Sequence, residues 1–253
     1  MTETTTTLGV PSLSLTLKSL LRADVTVMLR SRQALVLNLV LPIVILVVTN
    51  RGKLGNAGFL IGMAITYGLL SSALIGYSIT VARDREAGVF QRLRVTPVPT
   101  WAIMVSRLGV QLATNLIVAV VVMIVGSIMR NIVFSTAEYL LTLAVSLLGA
   151  AVFLSIGQAI VGLVRSATAI NAIGRVLYIL LILIGILGST GILGDDFKNF
   201  AAWTPVGALI NLFSTVLGVS TWGWTETEAL IGSFGYIVVF ASIGIRWFRW
   251  EPQ

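Results

Sequence analysis

Apolar residues run along most of this chain in stretches as long as a membrane crossing, and polar residues gather in short clusters between them. The apolar runs cover residues 34–49, 57–82, 101–129, 139–164, 169–192 and 229–245. A spanning helix needs about 20 mostly apolar residues, so the pattern predicts six transmembrane helices. Pro42 lies inside the first run, which a spanning helix accommodates when neighbouring groups satisfy the freed carbonyl. Ahead of that run, at helical spacing, Leu13, Leu17, Leu20, Leu21, Val25 and Met28 share one face, and Lys18, Arg22 and Arg30 share the other. Asp24 alone intrudes on the apolar side. This is the pattern of a basic amphipathic helix lying in the headgroup layer. The chain is therefore expected to be an all-α integral membrane protein. Residues 1–33 form a polar tail and the interfacial helix, and residues 34–253 form the membrane domain. Gly58 and Gly62, and further along Ser72 and Gly76, have the small-xxx-small spacing that lets helix backbones approach closely in lipid.

Composition narrows the possible chemistry. Only 11% of residues are charged and 57% are hydrophobic, against about 25% charged in a soluble domain. The mean hydropathy is +0.98. With no Cys and no His, disulfides, thiolate or imidazole metal sites and Ser-His catalysis are excluded. The net charge of +7 sets topology and does not suggest a nucleic-acid partner. With the N-terminus inside, 13 of the 17 basic residues fall on the cytoplasmic side, and only Arg51, Lys53, Arg130 and Lys198 fall outside. Basic loops stay in the cytoplasm, so the expectation is a multi-pass protein of the cell membrane with both termini cytoplasmic. The N-terminus lacks a basic start followed at once by an apolar run, so no cleaved signal peptide is expected.

The segment RDREAGVFQRLRVTPVP, residues 83–99, interrupts this pattern between the second and third runs. Residues 82–94 hold no proline, so the second helix is expected to continue past the bilayer to about Arg94, until Pro97 and Pro99 stop it. Val89, Phe90 and Leu93 place apolar bulk among charges. This suits a knob that fills a partner's pocket; the competing reading is a solvated loop that only holds orientation. Glu86 would either pair with a basic residue of a partner or cap its own helix. Inside the runs, Asn38, Tyr67, Ser71, Gln111, Asn115 and Asn171 are polar candidates for a substrate path, though hydrogen bonding between helices suits them as well. All ten acids lie outside the apolar runs, which counts against an ion-coupled secondary transporter. No lysine stands in a phosphate-binding G-x-x-x-x-G-K-[ST] context, so the chain is not expected to be an enzyme or to bind ATP and Mg itself.

The run from Arg85 to Val98 resembles the cytoplasmic signature of the ABC-2 type permeases, roughly R-E-x-G-T-x-x-x-L-x-x-T-P-V. Arg85, Glu86, Gly88, Leu93, Thr96, Pro97 and Val98 match it, and Val89 stands where the pattern has Thr. The resemblance implies the membrane subunit of an ABC exporter moving a drug, lipid or other amphiphile. The alternatives are a polysaccharide-exporting permease and the secondary transporter. It implies a coupling helix carrying Arg85, Glu86, Gly88, Val89, Phe90, Leu93 and Pro97, docked on a separate ATP-binding subunit. Two such subunits would supply ATP and Mg, and a second permease chain, identical or related, would complete the path. The aromatic stretch before the last run, with Phe200, Trp203 and Pro205, would form short re-entrant helices. From spacing alone, an interfacial loop with aromatic anchors fits that stretch equally well.

Overall fold

The computed structural model describes residues 13–30, 32–51, 56–89 and 100–247, and among them the regular elements are all helices. In chain order these are α1 (Leu13–Arg30), α2 (Arg32–Arg51), α3 (Ala57–Leu69), a π-helical segment (Leu70–Gly76), α4 (Tyr77–Glu86), α5 (Thr100–Arg130), α6 (Thr136–Leu163), α7 (Ala167–Thr190), α8 (Asp195–Trp203), α9 (Pro205–Val216) and α10 (Trp224–Trp247).

Five helical stretches are long and apolar enough to cross a membrane: Ala57–Glu86, Trp101–Arg130, Thr136–Leu163, Ala167–Thr190 and Trp224–Trp247. They match the second to sixth predicted runs. The first run lies in α2, where the shorter apolar helix Leu39–Thr49 is described. α2 as a whole has 20 residues with Pro42 inside it, about 30 Å of helix.

Local chemistry sets the helix starts. Asn56 accepts the Gly58 amide at the head of α3. Ser135 and Glu138 form a reciprocal capping box on α6, with the Ser135 amide 2.6 Å from Glu138 Oε2. Thr204 caps α9, and Pro205 takes the first helical position, where its missing N–H costs nothing. These side chains satisfy amides that have no partner within their own helix.

The unit formed by α3, the π segment and α4 is the axis of the molecule. Tyr67, Leu69, Leu70, Ala73 and Leu74 are all 1% exposed or less, with α2, α5, α6, α7 and α9 around them. The outward helices are the opposite case. Val176, Ile179 and Leu183 on α7, and Ile231, Val238 and Val239 on α10, are about half exposed or more, as suits helices bathed in acyl chains. Gly58 and Gly62 settle against α9: a Cβ on Gly62 would stand 2.6 Å from that of Phe213. Their small-xxx-small spacing therefore serves packing within the chain.

α1 lies along α5. Leu17, Leu20, Asp24 and Met28 form its half-buried stripe. Asp24, the intruder in the apolar pattern, accepts a hydrogen bond from Ser106 Oγ on α5. Leu15, Val27 and Leu29 remain exposed.

Candidate functional site

Asp84, Arg85 and Glu86 end α4, and each reaches a different neighbouring element. Asp84 Oδ2 pairs with Arg107 Nη1 on α5 at 2.5 Å. Arg85, 4% exposed, turns into the protein. Its Nη1 donates to the Val161 carbonyl at 3.0 Å, and its Nη2 donates to those of Val164 at 2.9 Å and Arg165 at 2.5 Å. These carbonyls belong to the last turn of α6 and the residues just past it, where acceptors lack partners and the helix dipole is negative. Glu86 Oε1 accepts the Ala167 amide at 2.8 Å, the first amide of α7, where the dipole is positive. One dipeptide thus closes the gap between two consecutive helices, cation on carbonyls and carboxylate on amide. The fork of the guanidinium is what lets one side chain serve three acceptors.

The structure corrects the predicted continuous helix to Arg94. α4 ends at Glu86, and Gly88 follows with φ +68°, a left-handed conformation that glycine adopts without a Cβ clash. The Ala87 amide donates to the Arg83 carbonyl and that of Gly88 to Arg85, so the chain turns sharply before half-buried Val89. The signature glycine is a joint between the axial helix and the segment beyond it. Phe90, Leu93 and Pro97 lie outside the described residues.

The path candidates do not gather at one point. Tyr67 is 1% exposed, and its hydroxyl donates to the Ile182 carbonyl of α7 at 3.4 Å. Ser71 is half-buried on the π segment. Gln111 Nε2 donates to the Ser72 carbonyl at 3.2 Å and its Oγ at 3.0 Å, filling the wider turn of the π segment. Asn115 is fully buried, with neither amide atom hydrogen-bonded to a described residue. Asn171 Oδ1 on α7 is likewise buried and unpartnered. Asn38 falls within α2, its side chain outside what is described. A further polar join, which helical spacing alone did not single out, is Tyr77 OH donating to Gln158 Oε1 at 2.6 Å. It needed the packing of α4 on α6 to be seen.

Two cavities are described, and neither includes a path candidate. One, about 530 Å³, is an apolar groove between α5, α6 and α10, with Trp101, Leu108, Leu154, Gln158 and Ile237 among its walls. The other, about 310 Å³, lies at the opposite end among α8, α9 and α10. There Phe200 and Trp203 are more than half exposed. Pro205 opens α9, which carries Val206, Leu209 and Phe213 into the core with no measurable exposure. At 12 residues, about 18 Å of helix, α9 is too short to cross a bilayer.

A family model described as ABC-2 type transporter matches residues 16–217. A protein of Bacillus subtilis (strain 168) named "Putative transport permease YvfS" is 25% identical over 151 residues, 59% of this chain and 61% of that protein. The chain thus aligns with less than two thirds of that relative's length.

Proposed function

Because the chain belongs to the ABC-2 type transporter family, we propose that it is the membrane subunit of an ABC exporter. It moves a drug, lipid or other amphiphile out of the cytoplasm and is powered by ATP hydrolysed on separate subunits. In this reading α2 is the first of six spans, α1 lies in the headgroup layer, and the α8–α9 pair enters the outer leaflet. Two permease chains, identical or related, enclose the path, and two ATP-binding subunits dock on residues 85–97. Both termini and the docking segment are cytoplasmic.

The observation that carries this reading is the triple attachment of Asp84, Arg85 and Glu86 to α5, α6 and α7. A segment docked on a motor can bias two membrane conformations only through contacts that differ between them. A joint fixed to three neighbouring elements within three residues gives such a segment a stiff grip on the bundle. Phe90 fills a pocket of the motor, and Gly88 sets the angle at which it is presented. Substrate contact is assigned to Tyr67, Ser71, Gln111, Asn115, Asn171 and Asn38 along the axial helix and its neighbours.

The chain has no Cys, so single cysteines test this placement directly. Gln91→Cys is expected to resist an impermeant thiol reagent in intact cells and to label after permeabilisation, whereas Lys198→Cys labels in intact cells. Labelling of Gln91→Cys from outside would reject the topology. With the placement established, Phe90→Ala is expected to leave insertion unchanged and to weaken capture of the ATP-binding subunit by about tenfold or more, the loss typical of an interface anchor. Full capture and full transport by Phe90→Ala would reject the docking role.

A further inference from the structure

At the Trp203 end, the 310 Å³ cavity among α8, α9 and α10 is lined by Asn199, Trp203, Thr225, Glu228, Ala229 and Gly232, with Ala202 and Ala208 completing it. Half of its eight lining residues are alanine or glycine, so the space exists because nothing large grows into it. A Cβ on Gly232 would meet nothing within 4 Å. Next to it the structure is tied shut, since Tyr236, one turn beyond Gly232, donates its hydroxyl to the Trp203 carbonyl at 2.6 Å. The end of α8 is thereby pinned to α10 beside the opening.

The polar groups around the cavity are uncommitted. The side chains of Glu228, Asn199 and Thr225 make no hydrogen bond or ion pair with another described residue. Glu226, two residues before Glu228, does the opposite: its carboxylate holds the Gly223 amide at 2.8 Å and the Thr215 hydroxyl at 3.3 Å. The helix start is served by Glu226, and Glu228 is left to face the cavity. Glu228 is also the only charged residue in the lining, in a chain whose net charge is +7. A carboxylate and an indole lining one cavity, with an amide and a hydroxyl also in its wall, form a set of groups that recognises a cation with apolar substituents. The ring face attracts the charge and the carboxylate neutralises it. The volume is at the small end of ligand pockets, room for a head group and not for a whole amphiphile. The neighbouring Trp222 and Trp224 are more than half exposed, as is usual at the level of the lipid headgroups.

We propose that this cavity is a binding site for an alkylammonium head group, held by Glu228 and Trp203. The ammonium comes either from a membrane lipid or from a free or exported amine. The site is defined by binding alone, so its test needs neither a motor nor transport and does not depend on the exporter reading.

The test uses the full chain in nanodiscs of phosphatidylglycerol, which carries no ammonium. Tryptophans are replaced by 5-fluorotryptophan, and the Trp203 resonance is assigned with Trp203→Phe. Tetramethylammonium is titrated at constant ionic strength, and in a separate arm phosphatidylcholine is added to the discs. A saturable shift of the Trp203 resonance with either probe supports the site. Response to phosphatidylcholine identifies a lipid as the source, and response to tetramethylammonium alone identifies a free or exported amine. Glu228→Gln is expected to raise the half-saturation concentration about tenfold or more. Gly232→Leu, which fills open space and leaves the carboxylate in place, is expected to abolish the response. Asp195→Asn, outside the cavity, should titrate like the wild type. No shift with either probe overturns the proposal, as does an unchanged titration in Gly232→Leu. The latter criterion stands even where Glu228→Gln fails to fold.

Discussion

At the Arg85 end, helices are joined by polar groups matched in sign: Asp84 to Arg107, Arg85 to three carbonyls, Glu86 to an amide. At the Trp203 end close steric joins stand beside neutral hydrogen bonds such as that from Tyr236 to the Trp203 carbonyl. Gly207 of α9 lies against the Ala201 backbone, Gly188 of α7 against the Ala201 side chain, and Gly62 against Phe213. Hydrogen bonds fix direction and can be made by a chain that must also turn sharply, as this one does at Gly88. Close backbone contact fixes distance, and it suits two short helices that must fold back on each other. The difference teaches that the two ends are vulnerable to different changes, added volume at one and removed charge at the other.

The largest effect should come from Gly207→Ala. The added Cβ would overlap the Ala201 carbonyl, and as both sides are backbone neither can swing away. Overpacking of this kind costs about 3 kcal/mol or more, so Tm in detergent should fall by roughly 6–12 °C for a chain of this size. A wild-type melting curve would mean that the Trp203 end is looser than its packing implies. Next is Arg85→Met, which keeps apolar bulk and strips three acceptors of their donor. Loss of charge-assisted hydrogen bonds at a buried site costs about 2–3 kcal/mol. Arg85→Lys should recover only part of that, because an ammonium is a point donor. Equal stability of Arg85→Met and Arg85→Lys would remove the fork geometry from the account.

Smaller changes sharpen the contrast. Tyr236→Phe deletes one hydroxyl-to-carbonyl bond at the Trp203 end and should cost about 1 kcal/mol, visible as a modest fall in Tm with no salt dependence. Glu86→Gln keeps an acceptor oxygen for Ala167 and loses only the charge at the α7 terminus, about 0.5 kcal/mol at an exposed position. That small loss should shrink further in high salt, and comparing the two variants across ionic strength separates the polar end from the packed one.

Much of this was legible in the sequence. Long apolar runs dictate helices because a backbone in lipid must satisfy its own hydrogen bonds, and five of the six runs became helices of spanning length. The charged segment also stood out against its surroundings. The destinations of the charges were not legible. Arg85 and Glu86 lie about 80 residues from their partners at 161–167, and no local pattern records that α4 ends beside the α6–α7 turn. Gly88 was visible, but its left-handed conformation depends on where the chain must go next. Asp24 looked like a flaw in an amphipathic face until Ser106 supplied its partner. The Trp203 cavity was missed for a similar reason, since its small residues come from three helices.

The π segment of the axial helix bears on how this chain can vary in length. Its seven residues, Leu70–Gly76, wind more slowly than α-helix, so everything after Gly76 is rotated by roughly one residue's turn, about 100°, from where an unbroken α-helix would place it. The inward aim of Arg85 therefore depends on residues three turns away that never touch it. Deleting one residue between 70 and 76 would let the helix close into regular α form, and its apolar faces would look unchanged to any measure of hydropathy. Asp84, Arg85 and Glu86 would then swing around the axis, leaving the carbonyls of α6 and the first amide of α7 without their counter-charges. Homologous chains can thus be expected to conserve the number of residues between Tyr67 and Arg85 more strictly than the identity of most residues in that interval.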